Sequence, residues 1–173
     1  MPRVSRILAA GLLTALTDGA FSSVLSVAFY GSTVTRLFQG VAGVLIGREA
    51  LNGGTPAALI GIAMHFGVAM AWSAIFALGV LRIGAVRRLL ESPLGAVKVA
   101  VWYGPLVWTI MSLAVIPLMT GRPTAITSRW WTQWFGHMVF VGLPIAAVIR
   151  GGFSSGGATS SRSRAAGQSG APF

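Results

Sequence analysis

The chain contains no cysteine, three acidic residues (Asp18, Glu49 and Glu91) and two histidines, His65 and His137. Without cysteine there is no disulfide, no thiolate nucleophile and no cysteine-ligated metal, and nothing indicates the redox compartment. So few acids leave no carboxylate cluster of the kind that holds hard cations. There is no H-E-x-x-H pair, no glycine-rich phosphate loop and no nucleophile with a base and oxyanion donors beside it, so the sequence points away from an enzyme. Charge itself is scarce. Only 9% of the 173 residues are charged, against roughly a quarter in a soluble domain.

What the chain has instead is apolar surface and basic residues. It is 54% hydrophobic with a mean hydropathy of +0.77, and thirteen lysines and arginines give a net charge of +10. In a soluble protein that excess would suggest nucleic acid. Here the bases stand at the ends of apolar runs, where they meet anionic lipid headgroups. The expected partner is the lipid bilayer, and no nucleic acid is implied.

Crossing a hydrocarbon core takes about 20 apolar residues as a helix. Four stretches qualify: about 7–30, 55–81, 99–119 (with Pro105 and Pro117) and 130–149, where Pro144 marks an expected kink. The N-terminus has the basic start of a signal peptide. Its apolar run continues past Asp18 without a small-x-small cleavage site, so it reads as a retained first span. Continuous rather than alternating apolarity argues against barrel strands. The fold expected is an all-α membrane protein, a four-helix transmembrane bundle over 1–151. The Ser/Gly-rich segment 152–173 is expected to be a disordered cytoplasmic tail.

Four crossings place the N-terminus, the 82–98 loop and the C-terminus on one side with nine basic residues, and Arg36, Arg48, Arg122 and Arg129 on the other. Both termini are therefore expected in the cytoplasm, with Trp130, Trp131 and Trp134 forming an aromatic belt at the opposite interface.

Between the first two spans, Leu37 to Gly47 is apolar but extends only about 16 Å as a helix, roughly half the core. It is either a re-entrant segment or an interfacial helix. Gly40, Gly43 and Gly47 recur on one face and offer a close backbone approach. A polar hinge with Arg48, Glu49, Asn52, Gly53 and Gly54 follows.

Three ionisable residues fall inside the spans. Asp18 is about 16 Å along the first helix, His65 about 15 Å into the second and His137 about 9 Å into the fourth. Gly11, Thr14, Asp18, Ser22 and Ser26 share one small, polar face. Gly61, Ala69 and Ser73 share the face of His65, and Gln133 and Gly136 neighbour His137. Gln39 and Glu49 can reach the same region from above. The candidate polar cluster is thus Asp18, Gln39, Glu49, His65 and His137. An Asp–His contact in low dielectric would answer to pH. Interhelical hydrogen bonding alone is the simpler role for such residues. Two histidines on separate helices can also ligate a haem or a metal, but no cofactor is assigned. Trp72, Trp102, Tyr103 and Trp108 read as packing or interface residues.

Several segments together, LTDGA, LFQGVAGVLIGREALNGG, ALIGIAMHF, VIPLM and FGHMVFVGLPIA, resemble a group of uncharacterised bacterial four-helix integral membrane proteins akin to the YagU-like inner-membrane proteins. The resemblance covers about residues 9–151. It implies a multi-pass protein of the bacterial inner membrane, with Asp18, Gln39, Gly53, Gly54, His65 and His137 at matching positions, and no established reaction or cofactor. A link of that group to acid tolerance would suit a proton-sensitive Asp–His pair. The chain departs from the group in having fewer acids and a long Ser/Gly tail. Beside a non-enzymatic, proton-responsive role stand two alternatives, an accessory subunit of a larger membrane complex and a small transporter or channel acting as a homo-oligomer.

Overall fold

Six helices account for almost all of residues 3–151, which are the residues the structure, a computed structural model, describes; the segment expected as a tail lies outside them. Four are long and apolar enough to cross a membrane: α1 (Val4–Phe29), α3 (Gly54–Arg82), α5 (Gly95–Thr120) and α6 (Ser128–Gly151). Two are shorter, α2 (Val34–Ile46) and α4 (Gly84–Glu91). No strand occurs among the described residues. Leu8, Leu12, Leu16, Ile75, Val101 and Val139 point outward and are exposed, an arrangement that suits lipid as the surrounding solvent. The expected all-α, four-helix membrane fold is the one observed.

The core sits at one end of the bundle. Phe76, Leu90, Val99, Tyr103 and Ile145 are sealed from solvent, with Ala10, Ala77 and Ala146 between them. These alanines let the helices approach closely, and the Tyr103 hydroxyl donates to the Trp72 carbonyl at 2.8 Å. Trp72 and Tyr103 are packing residues, as expected. The stretch after α3, read from the sequence as a loop, contains α4. This helix buries Leu90 beneath exposed Arg87, Arg88 and Glu91, with Arg87 and Glu91 paired at 3.2 Å.

The apolar segment after the first span is a helix, α2, capped by the Thr33 side chain on the Arg36 N–H. It ends at Gly47, whose φ of +80° a side chain would oppose. The segment doubles back along the first half of α3. There Gly61 provides the close approach, since a Cβ at that position would run into the Phe38 carbonyl. The glycines expected to do this do not. Nothing stands within 4 Å of where a Cβ on Gly40 or Gly47 would lie, and Gly43 meets only the Ala50 methyl at 3.9 Å.

Two of the spans carry a wide π turn just before a proline. In α5, the Ile116 N–H bonds to the Met111 carbonyl. The next residue, Pro117, has no N–H to offer the Ser112 carbonyl, which accepts from the Thr124 hydroxyl instead. In α6, the Leu143 N–H bonds to the Met138 carbonyl. Pro144 then leaves the Phe140 carbonyl without its usual donor, and the Thr17 hydroxyl of α1 stands 2.8 Å from it. The sequence marks only a kink at Pro144. The structure shows a widened turn whose freed carbonyl is taken by another helix.

Candidate functional site

Depth along the helices brings three of the five expected residues together. Asp18, on the polar face of α1, stands between the two histidines: its Oδ2 is 4.0 Å from Nδ1 of His65 on α3, and its Oδ1 is 3.9 Å from Nδ1 of His137 on α6. Asp18 and His137 are each about 8% exposed. Both distances exceed a hydrogen bond.

The rings are held by other contacts, and these fix which nitrogen carries hydrogen. Nε2 of His65 is 3.0 Å from the Ala15 carbonyl. A carbonyl can only accept, so Nε2 bears the hydrogen and the neutral ring turns the lone pair of Nδ1 toward Asp18. His137 is the reverse. Its Nδ1 donates to the Gln133 carbonyl at 2.8 Å, leaving Nε2 as the basic nitrogen of the neutral ring. Gln133 donates in turn to the Ser22 hydroxyl at 3.3 Å, tying α6 to α1.

Glycines make room for these rings. A Cβ on Gly19 would lie 3.3 Å from Nε2 of His65, and one on Gly104 would run into the His137 carbonyl. Gly136 lets the Phe21 ring lie over α6, where it stacks on Phe140 with centroids 4.4 Å apart.

Gln39 and Glu49 are not part of the cluster. The Gln39 amide donates to the Gly54 carbonyl at 3.0 Å, holding α2 to the start of α3. Glu49 is exposed in the single 3₁₀ turn between those helices, where water solvates its carboxylate. Both follow from α2 doubling back, which turns these side chains toward the hairpin and away from Asp18.

The cluster lines a cavity of about 580 Å³ bounded by α1, α2, α3, α5 and α6. Arg36 and Arg129 stand at its exposed edge. Arg36 Nη1 donates to the Leu51 carbonyl at 2.9 Å, and Arg129 lies 4.5 Å over the Tyr30 ring. Four of the residues that line it carry a sealed polar atom with no hydrogen-bond partner: the Thr14 hydroxyl, Asp18 Oδ1, Gln133 Oε1 and Trp108 Nε1.

The wall also holds residues that the sequence reading left out of the site. The Trp108 ring packs on His137 with centroids 4.8 Å apart. Trp130, expected in an interfacial belt, is buried instead, and its Nε1 donates to the Ser112 hydroxyl at 2.9 Å. Of the expected belt, Trp131 is the exposed member. A signal for Trp130 does exist in the sequence: it lies on the same helical face as Gln133 and His137, at i, i+3 and i+7.

Among the described residues, no three His, Cys, Asp or Glu side chains are grouped to hold a metal ion. The Asp18 carboxylate itself occupies the space between the two imidazoles. Comparison with protein-family models, curated proteins and solved structures gave no match.

Proposed function

We propose that this is a non-enzymatic protein of the bacterial inner membrane, with both termini cytoplasmic, in which Asp18, His65 and His137 bind and release a proton. One observation carries the reading: a buried carboxylate faces an imidazole lone pair at 4.0 Å and a second imidazole at 3.9 Å. A proton placed on Asp18 or on Nδ1 of His65 turns that gap into a hydrogen bond or ion pair. Its removal leaves a buried carboxylate facing a lone pair, an arrangement that low dielectric penalises. Protonation therefore changes how α1, α3 and α6 hold one another. Such coupling suits a sensor or relay and fits the resemblance to YagU-like inner-membrane proteins. A second reading, a small transporter working as an oligomer, draws on the cavity beside the same residues.

The test is a double-mutant cycle of Asp18→Asn with His65→Phe, scored by unfolding in detergent on either side of the histidine titration range. Stranding one buried partner costs about 1–3 kcal/mol, so each single change should destabilise more than the pair of changes, by an amount that varies with pH. Additive effects at every pH would sink the proposal. Orientation rests on the nine-to-four division of basic residues. Reporter fusions after Gly151 and within 50–54 are expected on opposite faces, the first cytoplasmic; a periplasmic C-terminal reporter overturns that placement.

A further inference from the structure

We propose that the cavity beside Asp18 binds an organic ammonium ion, a primary or secondary amine carrying an apolar or aromatic body. The inference rests on the proton-binding reading above, because the ammonium and the proton compete for the same carboxylate. Size comes first: about 580 Å³ lies within the range of small-molecule pockets, roughly 300–1,000 Å³. The Asp18 carboxylate then defines the chemistry. Asp18 lines the cavity and is more than nine-tenths buried, and its oxygens stand 4.0 and 3.9 Å from the histidine nitrogens, beyond hydrogen-bonding reach. A carboxylate so placed calls for a cation that brings its own N–H groups.

An anion would meet Asp18 without relief, and a neutral apolar guest would leave the carboxylate unpaired. The wall suits the rest of such a ligand. Trp72, Trp108 and Trp130 offer aromatic surface, where a cation is attracted to ring faces.

The other charges around Asp18 are accounted for element by element. His65 faces it from α3 and His137 from α6; α5 brings Val107, Trp108 and Met111 to the cavity but no ionisable group. Arg36 of α2 and Arg129 of α6 are exposed at the edge, so water screens them.

The experiment uses the full chain in mild detergent. The probes are 2-phenylethylamine, its N,N,N-trimethyl analogue and phenylacetate, and the readouts are tryptophan fluorescence and proton release in weak buffer. The primary amine is expected to bind saturably, to release protons and to weaken as pH falls. The trimethyl analogue, which has no N–H, and the Asp18→Asn protein are each expected to bind about tenfold more weakly or worse. If Asp18→Asn does not fold, the trimethyl comparison decides. Equal binding of phenylacetate, or of the trimethyl analogue, overturns the proposal, as does a signal that never saturates. The cycle of Asp18→Asn with His65→Phe, run without amine, keeps the two ideas apart. pH-dependent coupling without amine binding overturns this inference alone, whereas Asp18-dependent amine binding with additive effects overturns the proton reading alone.

Discussion

At the end of the bundle that carries α4, Phe76, Leu90, Val99 and Ile145 are sealed from solvent and the Tyr103 hydroxyl is satisfied by the Trp72 carbonyl. At the end that carries α2, the same four spans stand around a cavity of about 580 Å³, four of whose lining residues carry a sealed, unpartnered polar atom. The difference lies in what each helix places at the interface. Ala10, Ala77, Ala100 and Ala146 bring backbones together at the first end. Trp108, Trp130, His65 and His137 hold them apart at the second, and glycines at 104 and 136 admit backbone and ring where alanines would clash, while a methyl at Gly19 would press on the His65 ring. One end supplies rigidity, and the other gives up packing for a polar site.

The contrast is sharpest under truncation. Phe76→Ala in the sealed end is expected to cost about 3–5 kcal/mol in detergent unfolding. Leu37→Ala on the cavity wall is expected to cost less than about 2 kcal/mol, because its neighbours already border a void. Equal losses would break the distinction between the two ends.

A smaller effect is expected where the ends meet. Gly104→Ala drives a methyl group into the His137 carbonyl and is expected to cost about 1–3 kcal/mol by overpacking. It also displaces His137, so the pH dependence of stability is expected to change with it. A stability loss with an unaltered pH profile would remove His137 from the proton-binding group.

The smallest effect belongs to the segment beyond the described residues. Its composition offers little to bury, so truncation after Gly152 is expected to leave insertion intact and stability within about 0.5 kcal/mol. A larger loss would assign the segment a docking place on one of the two ends.

How much of this was legible in advance depends on the kind of signal. Four spans follow from the length of the apolar runs, and the meeting of Asp18, His65 and His137 follows from depth, since a helix rises a fixed distance per residue. The course of α2 does not. A short apolar helix can lie flat or double back, and only packing against Gly61 settles it, which is why Gln39 and Glu49 were misplaced. Helix α4 is signalled by Val86, Leu89 and Leu90 opposite Arg87 and Arg88, but the same arginines suit a charged loop between spans equally well. The π turns leave no clear trace: Pro117 and Pro144 announce a missing N–H without saying which hydroxyl answers it. Trp130 shares a helical face with Gln133 and His137, but nothing comparable marks Trp108 as facing inward, because an indole suits both an interface and a pocket wall.

The hydroxyl that answers the Phe140 carbonyl belongs to Thr17, 123 positions away in the chain. During synthesis α1 enters the bilayer first and α6 last. Until they meet, the Phe140 carbonyl lacks the Thr17 hydroxyl, which also stands 2.9 Å from the Leu13 carbonyl of its own helix, and the Gln133 amide lacks the Ser22 hydroxyl as its acceptor. The proline that interrupts the last helix therefore ties its settlement to the first. A chain lacking either helix loses both of these cross-helix contacts, so the first and last spans settle together or not at all.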